Sequence, residues 1–167
     1  MALQLFKIET VEVSSPVSSV TFSSIPQGYT DLKLVASVRS NRAAQEDGFG
    51  VTLNSASTGY TYRILSGSGS AASSVNTAYE QIWATRVNGN STTSNTFSSV
   101  EVYFPNYTGS TAKSYSADAV SENNATEAYA TLSAILQSST SAITSLTVQT
   151  INGTVATNST FTLYGVL

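Results

Sequence analysis

Leu32-Lys33-Leu34-Val35-Ala36-Ser37-Val38 settles the fold class. Leu32, Leu34, Ala36 and Val38 fall on one side of an extended chain, and Lys33, Ser37 and then Arg39 fall on the other. A repeat of two is that of a strand with one face on a core. Upstream, Ile25-Pro26-Gln27-Gly28-Tyr29 is a turn, with Pro presetting φ and Gly free to take a positive one. Before it, Val20 and Phe22 share the face of a short strand, and Ile8 to Val13 alternates weakly up to the break at Ser14-Ser15-Pro16.

Downstream, Asn41 to Gly48 reads as a polar loop. Phe49, Val51 and Leu53 alternate up to the turn at Asn54–Gly59, and Tyr60, Tyr62 and Ile64 alternate after it. Ser66 to Ser74 is rich in Ser and Gly and reads as a flexible loop. The next strand carries either Ile82, Ala84 and Arg86 or Trp83, Thr85 and Val87 on one face, and ends at the turn Asn88-Gly89-Asn90. Val100, Val102 and Phe104 then alternate, as do Tyr115, Ala117 and Ala119, and Ala130, Leu132, Ala134 and Leu136. The Ala content of Glu122–Gln137 also suits a helix, but the alternation and the Ser/Thr flanks favour a strand. Leu146 and Val148 precede Asn152-Gly153, a tight-turn signal. Phe161, Leu163 and Gly165 close the chain, opposite Tyr164 and Val166. About ten strands with turn chemistry between them predict an all-β fold: an antiparallel, jelly-roll-like β-sandwich, with residues 1–167 as a single domain.

Composition narrows the chemistry. The 167 residues include no Cys and no His. Thiol chemistry, the Ser-His-Asp triad and His-based zinc sites are therefore out of reach. The expectation is no enzyme, no metal and no cofactor. Charged residues make up 10% of the chain against about 25% in ordinary domains. The net charge of −3, with seven Lys and Arg scattered singly, argues against nucleic acid. No apolar run is long enough to cross a membrane as a helix. The opening Met-Ala-Leu-Gln-Leu-Phe-Lys lacks the regions of a signal peptide and reads as the start of the first strand.

The remaining candidate sites are few. Glu46-Asp47-Gly48 has the oxygen-rich look of a calcium loop, but two adjacent acids are too few to specify one; a solvated loop is the expectation. Glu9 and Glu12 point to opposite faces of one strand, and Glu80, Glu101, Asp118, Glu122 and Glu127 are scattered. A glycosidase pair would have to be assembled by folding. The Asn-x-Ser/Thr triplets at Asn90, Asn106, Asn124, Asn152 and Asn158 are expected by chance in a chain rich in these residues. Ser66-Gly67-Ser68-Gly69 lacks the Lys and the helix of a phosphate loop. Trp83, Tyr103, Tyr107, Tyr115 and Tyr164 are the candidate partner-facing aromatics, because exposed Tyr and Trp on a β-surface suit protein or sugar contacts.

Two segments carry a resemblance. One runs Val20-Thr21-Phe22-Ser23-Ser24-Ile25-Pro26-Gln27-Gly28-Tyr29-Thr30-Asp31-Leu32-Lys33-Leu34-Val35 and on to Val38-Arg39-Ser40. The other is Ser159-Thr160-Phe161-Thr162-Leu163-Tyr164-Gly165-Val166-Leu167. They resemble a family of small tailed-bacteriophage virion proteins with a "V-T-F-x-x-I-P-x-x-Y-T-D-L-x-L" opening and an "F-x-L-Y-G-[IV]" ending; the middle of the chain matches no motif. The resemblance implies a virion structural role, as a capsid decoration (cement) protein, a head fibre or a tail-fibre module. It also implies a β-sandwich and a homotrimer. The implied partners are other copies of the chain and the major capsid protein or another virion protein. The implied location is the outer capsid surface or the tail, after synthesis in the bacterial cytoplasm. The alternative function is a receptor- or glycan-binding module of a tail or head fibre, contacting host surface glycan. The chain shows neither shaft repeats nor heptads, which favours direct attachment to a capsid.

Overall fold

A computed structural model describes residues 4–77, 83–122 and 128–167. These form twelve strands: β1 (Leu5–Glu12), β2 (Ser19–Phe22), β3 (Asp31–Val38), β4 (Glu46–Leu53), β5 (Tyr60–Gly67), β6 (Ala72–Thr77), β7 (Trp83–Asn88), β8 (Ser98–Phe104), β9 (Lys113–Glu122), β10 (Ala128–Gln137), β11 (Leu146–Thr150) and β12 (Thr160–Val166). No helix occurs among the described residues, so Ala128–Gln137 is strand despite its alanines. One sheet has eight strands in the order β1-β12-β3-β8-β9-β10-β5-β6 and the other four, in the order β2-β11-β4-β7. All the strand pairs are antiparallel. Expectations placed on Glu80, Ile82, Asn124 and Glu127 lie outside the described residues.

The pairing is nested: β1 pairs β12, β2 pairs β11, β3 pairs β8 and β4 pairs β7. The inner faces carry the core. Leu32, Leu34, Val38, Phe49, Val51, Val100, Val102, Leu146, Val148, Phe161 and Leu163 are all buried there, and Phe49 stacks on Phe161 at 6.3 Å. Each such side chain contributes about 1.5–3 kcal/mol by leaving water. The face read from Leu32 to Val38 is the observed one.

The other four strands, β5, β6, β9 and β10, continue the large sheet beyond β8. Their inner side adds Tyr62, Ile64, Tyr115, Ala117 and Ile135 to the core, and it also meets β7 through polar groups: Thr131 Oγ1 lies 3.0 Å from Thr85 Oγ1, and Ser121 Oγ donates to Asn88 Oδ1. Strand β7 therefore lies beneath β9 and β10, and a bulge between Phe49 and Gly50 shifts its register. For these reasons neither alternating face expected for it describes its burial, with Ala84, Thr85, Val87 and Asn88 all inside.

Two loop expectations are corrected. Ser66 to Ser74 is a hairpin. Ser68 N–H donates to Ala71 O at 2.9 Å, Gly69 turns the chain at φ 83°, and Ala72 begins β6. Glu46-Asp47-Gly48 is neither a loop nor solvated; it opens β4, and Asp47 is 1% exposed. The Asp47 carboxylate accepts from Ser40 Oγ at 2.6 Å, Gly48 N at 2.8 Å, Asn152 N at 3.1 Å, Asn152 Nδ2 at 3.0 Å and Gly153 N at 2.9 Å. Its oxygens are engaged in binding the β11–β12 turn to the end of β3. Among the described residues no group of acids is placed to hold a metal ion.

Both segments that carry the phage-protein resemblance lie in one packing unit. Leu34 pairs with Leu163 and Leu32 with Gly165 across β3 and β12, and Thr30 N–H donates to Val166 O at 2.9 Å. The Tyr29 ring lies on Gly165 so closely that a Cβ there would stand 2.2 Å from Tyr29 Cδ2. Phe6 stacks on the same ring at 5.9 Å. Gly165→Ala should therefore lose about 1–3 kcal/mol through overpacking. Gly67→Ala, with nothing within 4 Å of the new methyl, should not lose stability; urea unfolding of the two variants checks the contrast.

Candidate interaction surface

Residues paired across an antiparallel sheet share a face. The outer face of the large sheet can therefore be followed row by row. One row runs Ser37–Ser99–Val120–Ala130–Gly67–Ala72. The next runs Val35–Glu101–Asp118–Leu132–Leu65–Ser74. A third runs Lys7–Tyr164–Lys33–Tyr103–Ser116–Ala134–Arg63–Asn76, and a fourth holds Ser114–Leu136–Thr61. The half over β12, β3 and β8 is dominated by polar and charged groups. The half over β9, β10 and β5 is not: Leu65 is 55% exposed, Val120 52%, Leu132 56% and Leu136 41%.

Three of these, Leu65, Val120 and Leu132, line an open groove of about 560 Å³ with Ala130 and Gly67, bounded by Glu101 and Asp118. In β10 the buried positions are Thr131, Ser133, Ile135 and Gln137. Alternation makes Ala130, Leu132, Ala134 and Leu136 the natural core face; here they point outward. The inversion has a local cause at Thr131, whose inner neighbour is the Thr85 hydroxyl of β7; further along the same face Ile135 joins the core. Because exposed aliphatic side chains are grouped here and not scattered singly, this face is the candidate interaction surface.

Of the five aromatic candidates, two are corrected. Tyr107 and Tyr115 are buried. The Tyr107 hydroxyl donates to Pro26 O, and Tyr115 packs 4.9 Å from Phe104, its phenol raised well above the ordinary pKa by desolvation and then by Tyr60. Both complete the core and neither faces outward. Tyr103 and Tyr164 share the third row on either side of Lys33, each half-buried. Tyr103 donates to Asp31 Oδ2 at 2.5 Å, and this bond pushes its pKa up to about 12. Trp83 stands apart from that face. It meets Tyr62 edge-on at 6.3 Å, and the Arg86 guanidinium lies 5.5 Å from the centre of its ring, so part of its surface is used within the chain.

Among the described residues, folding sets Glu101 opposite Asp118. Lys33 Nζ holds Glu101 at 2.7 Å, and both acids are exposed. Retaining or inverting hydrolysis needs one carboxyl kept protonated by a dry pocket, and this open site is not one. Sequence reasoning missed the groove residues Leu65, Val120 and Leu132. Their only signal was that Thr131, Ser133 and Gln137, the alternate positions, are themselves poor exposed-face markers once a polar layer lies beneath. The chain matches no protein-family model, and comparison with curated proteins returns no match.

Proposed function

We propose that this chain is a non-enzymatic structural protein of a tailed-phage virion, a capsid decoration protein that packs on the major capsid lattice as a homo-oligomer and stabilises it. The observation that carries the reading is the outward apolar groove at Leu65, Val120 and Leu132 on a rigid sheet. The motif resemblance, whose two segments meet at Tyr29 and Gly165, supplies the virion context. The absence of His and Cys fits a module that binds without reacting. We further infer a jelly roll: β1, β12, β3 and β8 face β2, β11, β4 and β7 in the order such a fold requires. In this reading β5–β6 and β9–β10 are two hairpins added between its strands, and they build the docking face.

Covering the four half-exposed aliphatic side chains yields roughly 1 kcal/mol each. A single copy so held would bind weakly after the cost of association. Many copies on one shell act together, so a weak contact per copy is sufficient. Co-sedimentation with capsids assembled without this protein tests the proposal. Wild type should pellet with the shells, and Leu65→Asp/Leu132→Asp should stay in the supernatant while keeping its fold. Equal binding by both would remove the groove from the account.

A further inference from the structure

The four outermost strands of the two sheets differ in how they are protected. Strand β1 carries Lys7, Glu9 and Glu12 and has a register shift between Lys7 and Glu9. Strand β2 is four residues long. Strand β7 pairs with β4 through a bulge and carries Arg86. Charges, bulges and shortness are the usual means of preventing a sheet edge from pairing with another chain. Strand β6, Ala72-Ser73-Ser74-Val75-Asn76-Thr77, has none of them. It has no charge, no Pro and no bulge against β5, and Ala72 to Asn76 are all exposed. Among the described residues no strand pairs with its far side.

The hairpin fixes which backbone groups of β6 point outward. Ser68 N–H bonds Ala71 O, so this pair is a hydrogen-bonded one. Such pairs alternate with non-bonded ones along an antiparallel ladder. Gly67–Ala72, Leu65–Ser74 and Arg63–Asn76 are therefore non-bonded pairs. The N–H and C=O groups of Ala72, Ser74 and Asn76 point away from β5, toward the free edge.

We propose that β6 is a self-association site, pairing antiparallel with β6 of a second copy about a two-fold axis at Ser74. Ser74 then faces its own symmetry mate, Ala72 faces Asn76 of the other copy, and each outward N–H and C=O meets a partner. This register is self-complementary, as an isologous contact must be. The charge distribution permits it: β6 brings no charge to the axis. The nearest charged side chain on the neighbouring strand, Arg63, stays roughly 20 Å from its mate by strand spacing and rise, beyond the screening length of about 10 Å. The axis is normal to the sheet, so the grooves of both copies open on the same side. The inference rests on the homo-oligomeric reading above and names how two copies join; it is two-fold, unlike the trimer that the resemblance implies.

Ser74→Cys tests it in a chain that has no other thiol. Opposed residues of a hydrogen-bonded pair sit about 5.5 Å apart at Cα, within the reach of a disulfide. Mild oxidation should convert the Ser74→Cys protein to a covalent dimer, and Thr61→Cys, elsewhere on the exposed face, should form no disulfide-linked dimer under the same conditions. Sedimentation equilibrium adds a second reading without cysteine. Ser74→Pro removes only an outward N–H, and should weaken dimerisation at least tenfold while leaving the thermal midpoint of the monomer near that of wild type. Should Ser74→Pro fail to fold, the cysteine pair still decides. A wild-type chain that stays monomeric or forms trimers, or a Ser74→Cys protein that crosslinks no faster than Thr61→Cys, overturns the proposal. Capsid co-sedimentation by the monomeric Ser74→Pro variant would then show that docking stands without pairing; loss of docking in Leu65→Asp/Leu132→Asp dimers would show pairing without docking.

Discussion

Asp47→Ala should lower the unfolding free energy by about 3–5 kcal/mol, the cost of leaving buried donors without their charged acceptor. Five donors from Ser40, Gly48, Asn152 and Gly153 converge on its carboxylate, and the residue is 1% exposed. Removing it strands backbone N–H groups of the β11–β12 turn and releases the Ser40 hydroxyl. In a domain of this length each kcal/mol moves the melting midpoint by about 2–4 °C, so a fall on the order of 10 °C is expected in a calorimetric scan. Asp47→Asn should also be costly, because its amide nitrogen would aim a donor at donors. A fall of only a degree or two in the alanine variant would mean that water replaces the carboxylate at little cost.

The second large effect is expected at Arg39, which is 7% exposed. Its guanidinium donates to Thr92 Oγ1 at 2.8 Å, Thr93 O at 2.9 Å, Thr96 O at 2.9 Å and Thr92 O at 3.2 Å. A planar fork of donors thus organises the whole β7–β8 loop, with desolvation lowering its pKa. Arg39→Met keeps much of the apolar stem but removes every donor. We expect a loss of about 2–4 kcal/mol and faster hydrogen exchange at Thr92, Thr93 and Thr96. Arg39→Lys should recover little, since an ammonium cannot reach acceptors spread across the face of a fork. Full recovery by lysine would show that the charge matters and the fork does not.

Asp47 and Arg39 show what the sequence could and could not disclose. The strand Leu32–Val38 was legible because hydrophobicity alternates where one face meets an aliphatic core. The role of Asp47 was not, because Asn152 and Gly153 lie a hundred residues away and two adjacent acids beside a glycine imitate a loop. Strand β6 escaped notice because Ala, Ser and Asn carry no β-strand pattern; the pairing of β5 with β10 and the tight turn at Gly69 determine it. In β10 the strand was legible but its orientation was not. Alternation reports two unlike faces and does not say which is inside when the inner layer is polar. The same inversion hid the apolar groove, where Leu132 reads as core. Tyr107 and Tyr115 failed as outward aromatics for the opposite reason: a tyrosine off the main repeat can still turn inward when its hydroxyl finds a carbonyl, as Tyr107 does at Pro26.

We propose that the outer face of β9, β10 and β5 is covered by a virion protein. A cryo-electron-microscopy reconstruction of a phage particle carrying this chain measures that directly. Density for the domain is expected on the capsid shell, with Leu65, Val120 and Leu132 buried against a neighbouring chain. A domain on the shell with that groove facing bulk solvent, or particles that lack the chain altogether, would contradict it.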